Sequence, residues 1–142
     1  TLSSSSAASD VYKRQTEDGL ESVALGLNAR AIDYAKFGRL YLNKGFWNGK
    51  PIISERWVTE STTPETLVPA DYYPKSYREQ NIYYKYMWWG HSLGNGDYNF
   101  YASGYLGQVV YICPGKQLII VRFGKSTDRW DDIARKLSEN IE

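Results

Sequence analysis

The apolar periodicity of this chain changes once, and that change restricts the fold more than any single motif. Leu27, Ala31, Tyr34, Ala35, Gly38, Tyr41 and Leu42 recur at helical spacing, marking one face of a helix with about 3.6 residues per turn. The spacing predicts a helix over roughly 29–44, with Asn28 as its N-cap and Gly45 just past its end. Ser54 is placed to cap a second, short helix running to Ser61. From Ile82 onward, runs of Tyr, Trp, Val and Ile alternate with Gly, Asn and Pro, the pattern of strands and turns. One strand run is predicted from Ile82 to Leu93, closed by Gly94-Asn95-Gly96, and another from Tyr98 to Ser103. Gly104 to Gly107 reads as a tight connection, and Gln108–Cys113 with Leu118–Phe123 as a hairpin around Pro114-Gly115-Lys116. Beyond Ser126-Thr127, Trp130, Ile133, Ala134, Leu137 and Ile141 line one face of a closing helix. Asp128, Asp131 and Asp132 sit near its positive N-terminal end. The sum is an α+β fold, an antiparallel sheet flanked by helices.

Two stretches stand apart. Residues 1–15, a Ser/Ala tract leading to Lys13-Arg14, have neither helical nor strand period and no apolar core of a signal peptide. They are read as a non-native or disordered leader, with the protein continuing upstream of Thr1 and one domain portion occupying 16–142. Residues 62–81, with Pro64, Pro69 and Pro74, read as a long loop.

Composition excludes several chemistries. Seventeen Lys and Arg balance sixteen Asp and Glu for a net charge of +1, which offers no footprint for nucleic acid or an anionic membrane. No apolar run approaches the ~18 residues of a membrane span. One Cys and one His leave no internal disulfide and no multi-histidine zinc site, and no cofactor is expected. A serine nucleophile would then look to a Lys for its base, as in Ser-x-x-Lys. No Ser in the chain has Lys three residues on, and Gly-x-Ser-x-Gly and Lys-Thr-Gly are absent too. Tyr41-x-Asn43 lies within the predicted helix and reads as coincidence. The five Trp and thirteen Tyr keep a second class open, an aromatic-rich module that stacks sugars or another ligand.

An ordered series of residues accounts for a hydrolase-like chain without a nucleophile. It runs Ala29-Arg30-Ala31-Ile32-Asp33-Tyr34-Ala35-Lys36-Phe37-Gly38, Leu40-Tyr41-Leu42, Gly45, Trp47-Asn48-Gly49-Lys50, Ile53-Ser54 and Trp57-Val58. It continues with Tyr86-Met87-Trp88-Trp89, Ala102-x-Gly104-x-x-Gly107-Gln108 and Pro114. Over residues 19–142 this series resembles the late part of the serine β-lactamase-like hydrolases. That superfamily includes class C β-lactamases, penicillin-binding carboxypeptidases, esterases and 6-aminohexanoate-dimer hydrolases.

The resemblance implies the C-terminal part of a β-lactamase/transpeptidase-like fold and acyl-enzyme chemistry on a small ester or amide. The Ser-x-x-Lys and Tyr motifs of such enzymes would lie upstream, so the isolated chain is expected to be inactive. The third motif, on an edge strand, would correspond to Ala102-Ser103-Gly104, and the Tyr105 backbone N–H to an oxyanion-hole donor. Fixed amide donors stabilise the developing oxyanion, and an edge strand has amides to spare. Gly104 is expected to permit close ligand approach and an unusual φ. Ala102 stands where a Lys is common and cannot meet a substrate carboxylate, which argues for an uncharged flank over a β-lactam. Ser103 keeps a hydroxyl at the middle position. Trp89 and His91 are further candidates for substrate contact, although at most one of Trp88 and Trp89 can face a ligand. Tyr72, Tyr73, Tyr77, Tyr83 and Tyr84 are read as rim or sheet cover, and Cys113 as a buried small hydrophobe. An exported, periplasmic protein would agree with the resemblance, as would a relative that has lost catalysis.

Overall fold

The computed structural model describes residues 12–13, 18–20, 27–65, 72–126 and 128–141. Most of the stretch read as a leader lies outside these. Of it, Tyr12–Lys13 (β1) pair antiparallel with Leu27–Asn28 (β2). Helix α1 spans Ala31–Leu42, so Asn28 does not cap it; Arg30 is the N-cap residue and contributes no capping side chain. Charge holds this first turn instead, with Asp33 accepting from Arg30 and Lys36 at 3.1 Å each. The other end closes as a Schellman motif: Gly45 N donates to Leu40 O at 2.8 Å and Lys44 N to Tyr41 O at 3.0 Å. The left-handed residue is Lys44, at φ 53, followed by Gly45 at φ 89. Glycine is required at 45 because an added Cβ would meet the Ile53 carbonyl oxygen at 2.1 Å.

A two-strand ribbon follows, β3 (Phe46–Trp47) with β4 (Lys50–Pro51), turning at Asn48-Gly49. Helix α2 (Glu55–Thr62) starts as the sequence indicates, with Ser54 Oγ accepting from Trp57 N at 3.1 Å. The stretch read as a loop over 62–81 contains a short helix, α3 (Lys75–Glu79). The main sheet then forms from β5 (Ile82–Lys85), β6 (Trp88–Gly94), β7 (Asp97–Gly104), β8 (Gln108–Cys113) and β9 (Leu118–Arg122). The five strands lie in sequential order and every neighbouring pair is antiparallel. Helix α4 (Trp130–Asn140) closes the chain.

The single strand expected over Ile82–Leu93 is two strands, folded at Tyr86 and Met87 with φ 46 and 71. Two consecutive left-handed residues make the hairpin turn that normally asks for Asn-Gly. Tyr-Met carries no such signal, so the turn was hidden.

Strand alternation splits the core into two layers. Trp88, Phe100, Val110 and Ile112 face α1, packing on Tyr34, Tyr41 and Leu42. Tyr101, Val109, Tyr111 and Cys113 face α4, packing on Trp130 and Ala134. α1 approaches closely because Gly38 is buried; a Cβ there would lie 3.1 Å from Ile119 Cγ2. On α4 the residues packed or buried against the sheet are Trp130, Ala134 and Ser138, four residues apart. The apolar face expected from sequence extended to Leu137 and Ile141, which are 51% and 43% exposed. Two tethers join β5 to the α2 region. Tyr83 lies across Gly90 and donates to Thr62 O at 2.5 Å, and the buried Lys85 pairs with Glu65 at 2.5 Å.

Candidate functional site

β7 is an interior strand, not the edge strand expected, yet its last residues behave as an edge. Its pairing with β6 ends at Trp89↔Tyr101. Its pairing with β8 continues through Ala102↔Val110, Ser103↔Val109 and Gly104↔Gln108. Ala102, Ser103 and Gly104 are therefore paired with β8 alone; Ser103 and Gly104 lie beyond the first residue of β6, Trp88, which falls opposite Ala102 in the register without pairing to it. Peptide groups on the open side are not consumed by a neighbouring strand.

The strand end runs into a tight turn, Tyr105–Gly107, kinked at Leu106. Gly104 is extended, at φ −113, so the unusual φ expected of it falls two and three residues later. Leu106 sits at φ 58, ψ 30 and Gly107 at φ 76. For Leu this left-handed conformation costs about 1–2 kcal/mol, and the surroundings supply the restraint. Arg122 Nη1 donates to Leu106 O at 3.1 Å and to Gly107 O at 2.7 Å. The Arg122 guanidinium lies over the Trp130 ring at 4.0 Å. Ser126 N donates to Leu106 O at 3.1 Å. Gln108 brackets Gly124, its Nε2 donating to the carbonyl at 2.5 Å and its Oε1 accepting from the amide at 3.3 Å. Gly107 is enclosed by the same groups; a Cβ there would come within 2.7 Å of both Arg122 Nη1 and Trp130 Cδ1.

The predicted residues divide into a contiguous group and two outliers. Ser103, Gly104 and Tyr105 are exposed, Tyr105 at 82%, while Ala102 is half-buried on the α1 side. Trp89 pairs across from Tyr101 and so faces α4, the opposite side from Ala102. Its ring packs on Tyr84 at 4.6 Å and Tyr77 at 5.5 Å, which makes these aromatics sheet cover. Trp88 is in the α1 layer, stacked on Phe37 and tilted on Tyr41. His91 pairs with Asn99, about 13 Å along β7 from Ser103 at ~3.3 Å per residue. It is 1% exposed, lies 5.2 Å from the Tyr101 ring and contacts Tyr111 Oη at 3.3 Å through Nδ1. This placement makes it a core residue, at the wall of a cavity of about 280 Å³ that does not include Ala102–Tyr105. Burial pushes the Cys113 thiol pKa up, as suits a small hydrophobe inside a sheet.

Sequence reasoning does not single out Arg122, and reads Gln108, Ser126 and Trp130 without their part in shaping the turn. The available signal was Arg122 itself, a cation closing the otherwise apolar strand Leu118-Ile119-Ile120-Val121. Among the described residues no cluster of three or more His, Cys, Asp and Glu is arranged to hold a metal, and no helix is long and apolar enough to cross a membrane. Cavities of about 450 and 280 Å³ open beside Leu93 and Glu139, toward the opposite end of the sheet, and neither includes Ala102–Tyr105. The strand end is instead an open rim.

No family model and no curated protein matches the chain. Among solved structures it is similar to a Bacillus anthracis protein described provisionally as a 6-aminohexanoate-dimer hydrolase, with 28% identity and a TM-score of 0.62. The likeness covers 92% of this chain and 34% of that one, so the chain spans about a third of its neighbour's length. Enzymes of that description are among those the sequence resembles, and the likeness supports a β-lactamase-like hydrolase fold for this antiparallel sheet and its flanking helices.

Proposed function

We propose that this chain is the C-terminal portion of a serine hydrolase of the β-lactamase-like type, acting on an ester or amide through an acyl-enzyme. In this reading Ala102-Ser103-Gly104 is the third-motif strand and the Tyr105 N–H is one of two oxyanion donors. The observation that carries the proposal is the likeness of nearly the whole chain to a third of one hydrolase. The one-sided pairing of Ala102–Gly104 supports it, since a rim strand open on one side can meet a substrate. Ala102 and the hydroxyl of Ser103 favour a substrate flank without a carboxylate.

The nucleophile and its base would come from sequence outside this chain, through a Ser-x-x-Lys helix facing Gly104 and Tyr105. An oxyanion donor without a nucleophile leaves most of the barrier standing. Purified alone, the chain is therefore expected not to hydrolyse p-nitrophenyl esters, and turnover by it would overturn the reading. In the full-length protein Tyr105→Pro deletes the amide and is expected to lower kcat on the order of 10²–10³. Tyr105→Ala keeps the amide and should be milder. Circular dichroism must show the proline variant folded; a folded variant with undiminished kcat removes Tyr105 from the mechanism.

A further inference from the structure

We infer that Arg122 is a positioning residue for the Tyr105 amide, holding the 105–107 turn in a backbone shape it would not keep unaided. The inference rests on the reading of Tyr105 as an oxyanion donor, but its structural half stands separately. Leu106 occupies a left-handed conformation at φ 58 that a non-glycine residue leaves unless its surroundings over-determine it. Arg122 supplies that restraint by two bonds from Nη1 together with the stacking of its guanidinium. One nitrogen reaches the carbonyls of both Leu106 and Gly107, while the guanidinium plane is fixed on Trp130 at 4.0 Å. Those carbonyls belong to the Leu106–Gly107 and Gly107–Gln108 peptide units, the second and third after the one that carries the Tyr105 N–H, so Arg122 acts on that amide through the turn as a whole. An amide serves an oxyanion only if it is aimed before the charge develops. Arg122 touches no reacting atom in this scheme; it acts through the turn.

Lys at 122 would keep the charge but lose the planar guanidinium and its stack on Trp130, which makes Arg122→Lys the informative variant. In the full-length protein, with p-nitrophenyl butyrate as probe, kcat is expected to fall on the order of 10–100-fold with KM within about twofold. A double variant with Leu106→Gly, which removes the steric penalty at φ 58, should recover part of that loss. In the 142-residue chain, amide exchange at Ser126, whose N–H is bonded to Leu106 O at 3.1 Å, should accelerate in Arg122→Lys while Val110 and Ile112 stay protected. Unchanged kcat in a folded variant would overturn the inference. So would acceleration of all β8 amides together, the mark of a purely structural residue, or unaltered exchange at Ser126. If the wild-type full-length protein neither turns over the ester nor is labelled by a phosphonate ester, the hydrolase reading fails. The exchange measurement then still decides whether Arg122 holds the turn.

Discussion

His91 stands in the α4-facing layer with its ring enclosed by Tyr101 and Tyr111. Tyr111 Oη accepts from Asn99 Nδ2 at 3.4 Å, leaving its own proton for His91 Nδ1 at 3.3 Å. That assigns the ring proton to Nε2, which is buried and has no hydrogen-bond partner among the described residues. Burial, with Arg135 adding to it and Asp131 opposing, lowers the imidazole pKa from 6.5 to about 4. The unfolded chain therefore takes up a proton near pH 6.5 that the folded one refuses until about pH 4. Stability is fully present above pH 6.5 and is lost as the pH falls through that window, by up to on the order of 3 kcal/mol. Asp33 and Asp132, lowered by their Arg and Lys partners from 3.8, lose their contribution only at still lower pH. Melting temperatures from pH 7 to 4 should fall for the wild type, and His91→Gln should flatten the curve. An unaltered slope would show that another group titrates.

The pairing of β5 with β6 depends on a side chain lying where a Cβ would be. The Tyr83 ring covers Gly90, and an added Cβ would stand 2.1 Å from Tyr83 Cζ. The ring cannot swing aside freely, since it is buried and its hydroxyl is bonded to Thr62 O. Gly90→Ala is therefore expected to cost about 1–3 kcal/mol by overpacking and to loosen α2 from the sheet, readable as a lower urea midpoint with faster exchange in α2. A variant as stable as wild type would mean the ring has room to move. This arrangement also shows where legibility ends. Helices α1, α2 and α4 and strands β7, β8 and β9 announce themselves through period and turn residues, each of which is a local property. The Tyr86-Met87 turn does not, because left-handed φ is imposed there on residues that do not prefer it. The candidate strand end was legible by resemblance, whereas its open side comes from where β6 begins, and Arg122 meets the turn from β9. Both are products of register, which no single stretch of sequence expresses.

Across the whole molecule the sheet separates two helix-packed layers, and the dipeptide Trp88-Trp89 straddles it. Trp88 sits among Tyr41 and Phe100 on the α1 side, Trp89 beside Tyr77 and Tyr84 on the α4 side. If the layers unfold as one unit, variants keeping only Trp88 or only Trp89 should give coincident urea transitions. Displaced midpoints would show that one helix leaves the sheet before the other. Adjacent in sequence yet screened from each other by the backbone, the two indoles amount to a pair of built-in fluorophores. Each reports the docking of a different helix, and their emission spectra should differ in the folded state and converge on unfolding.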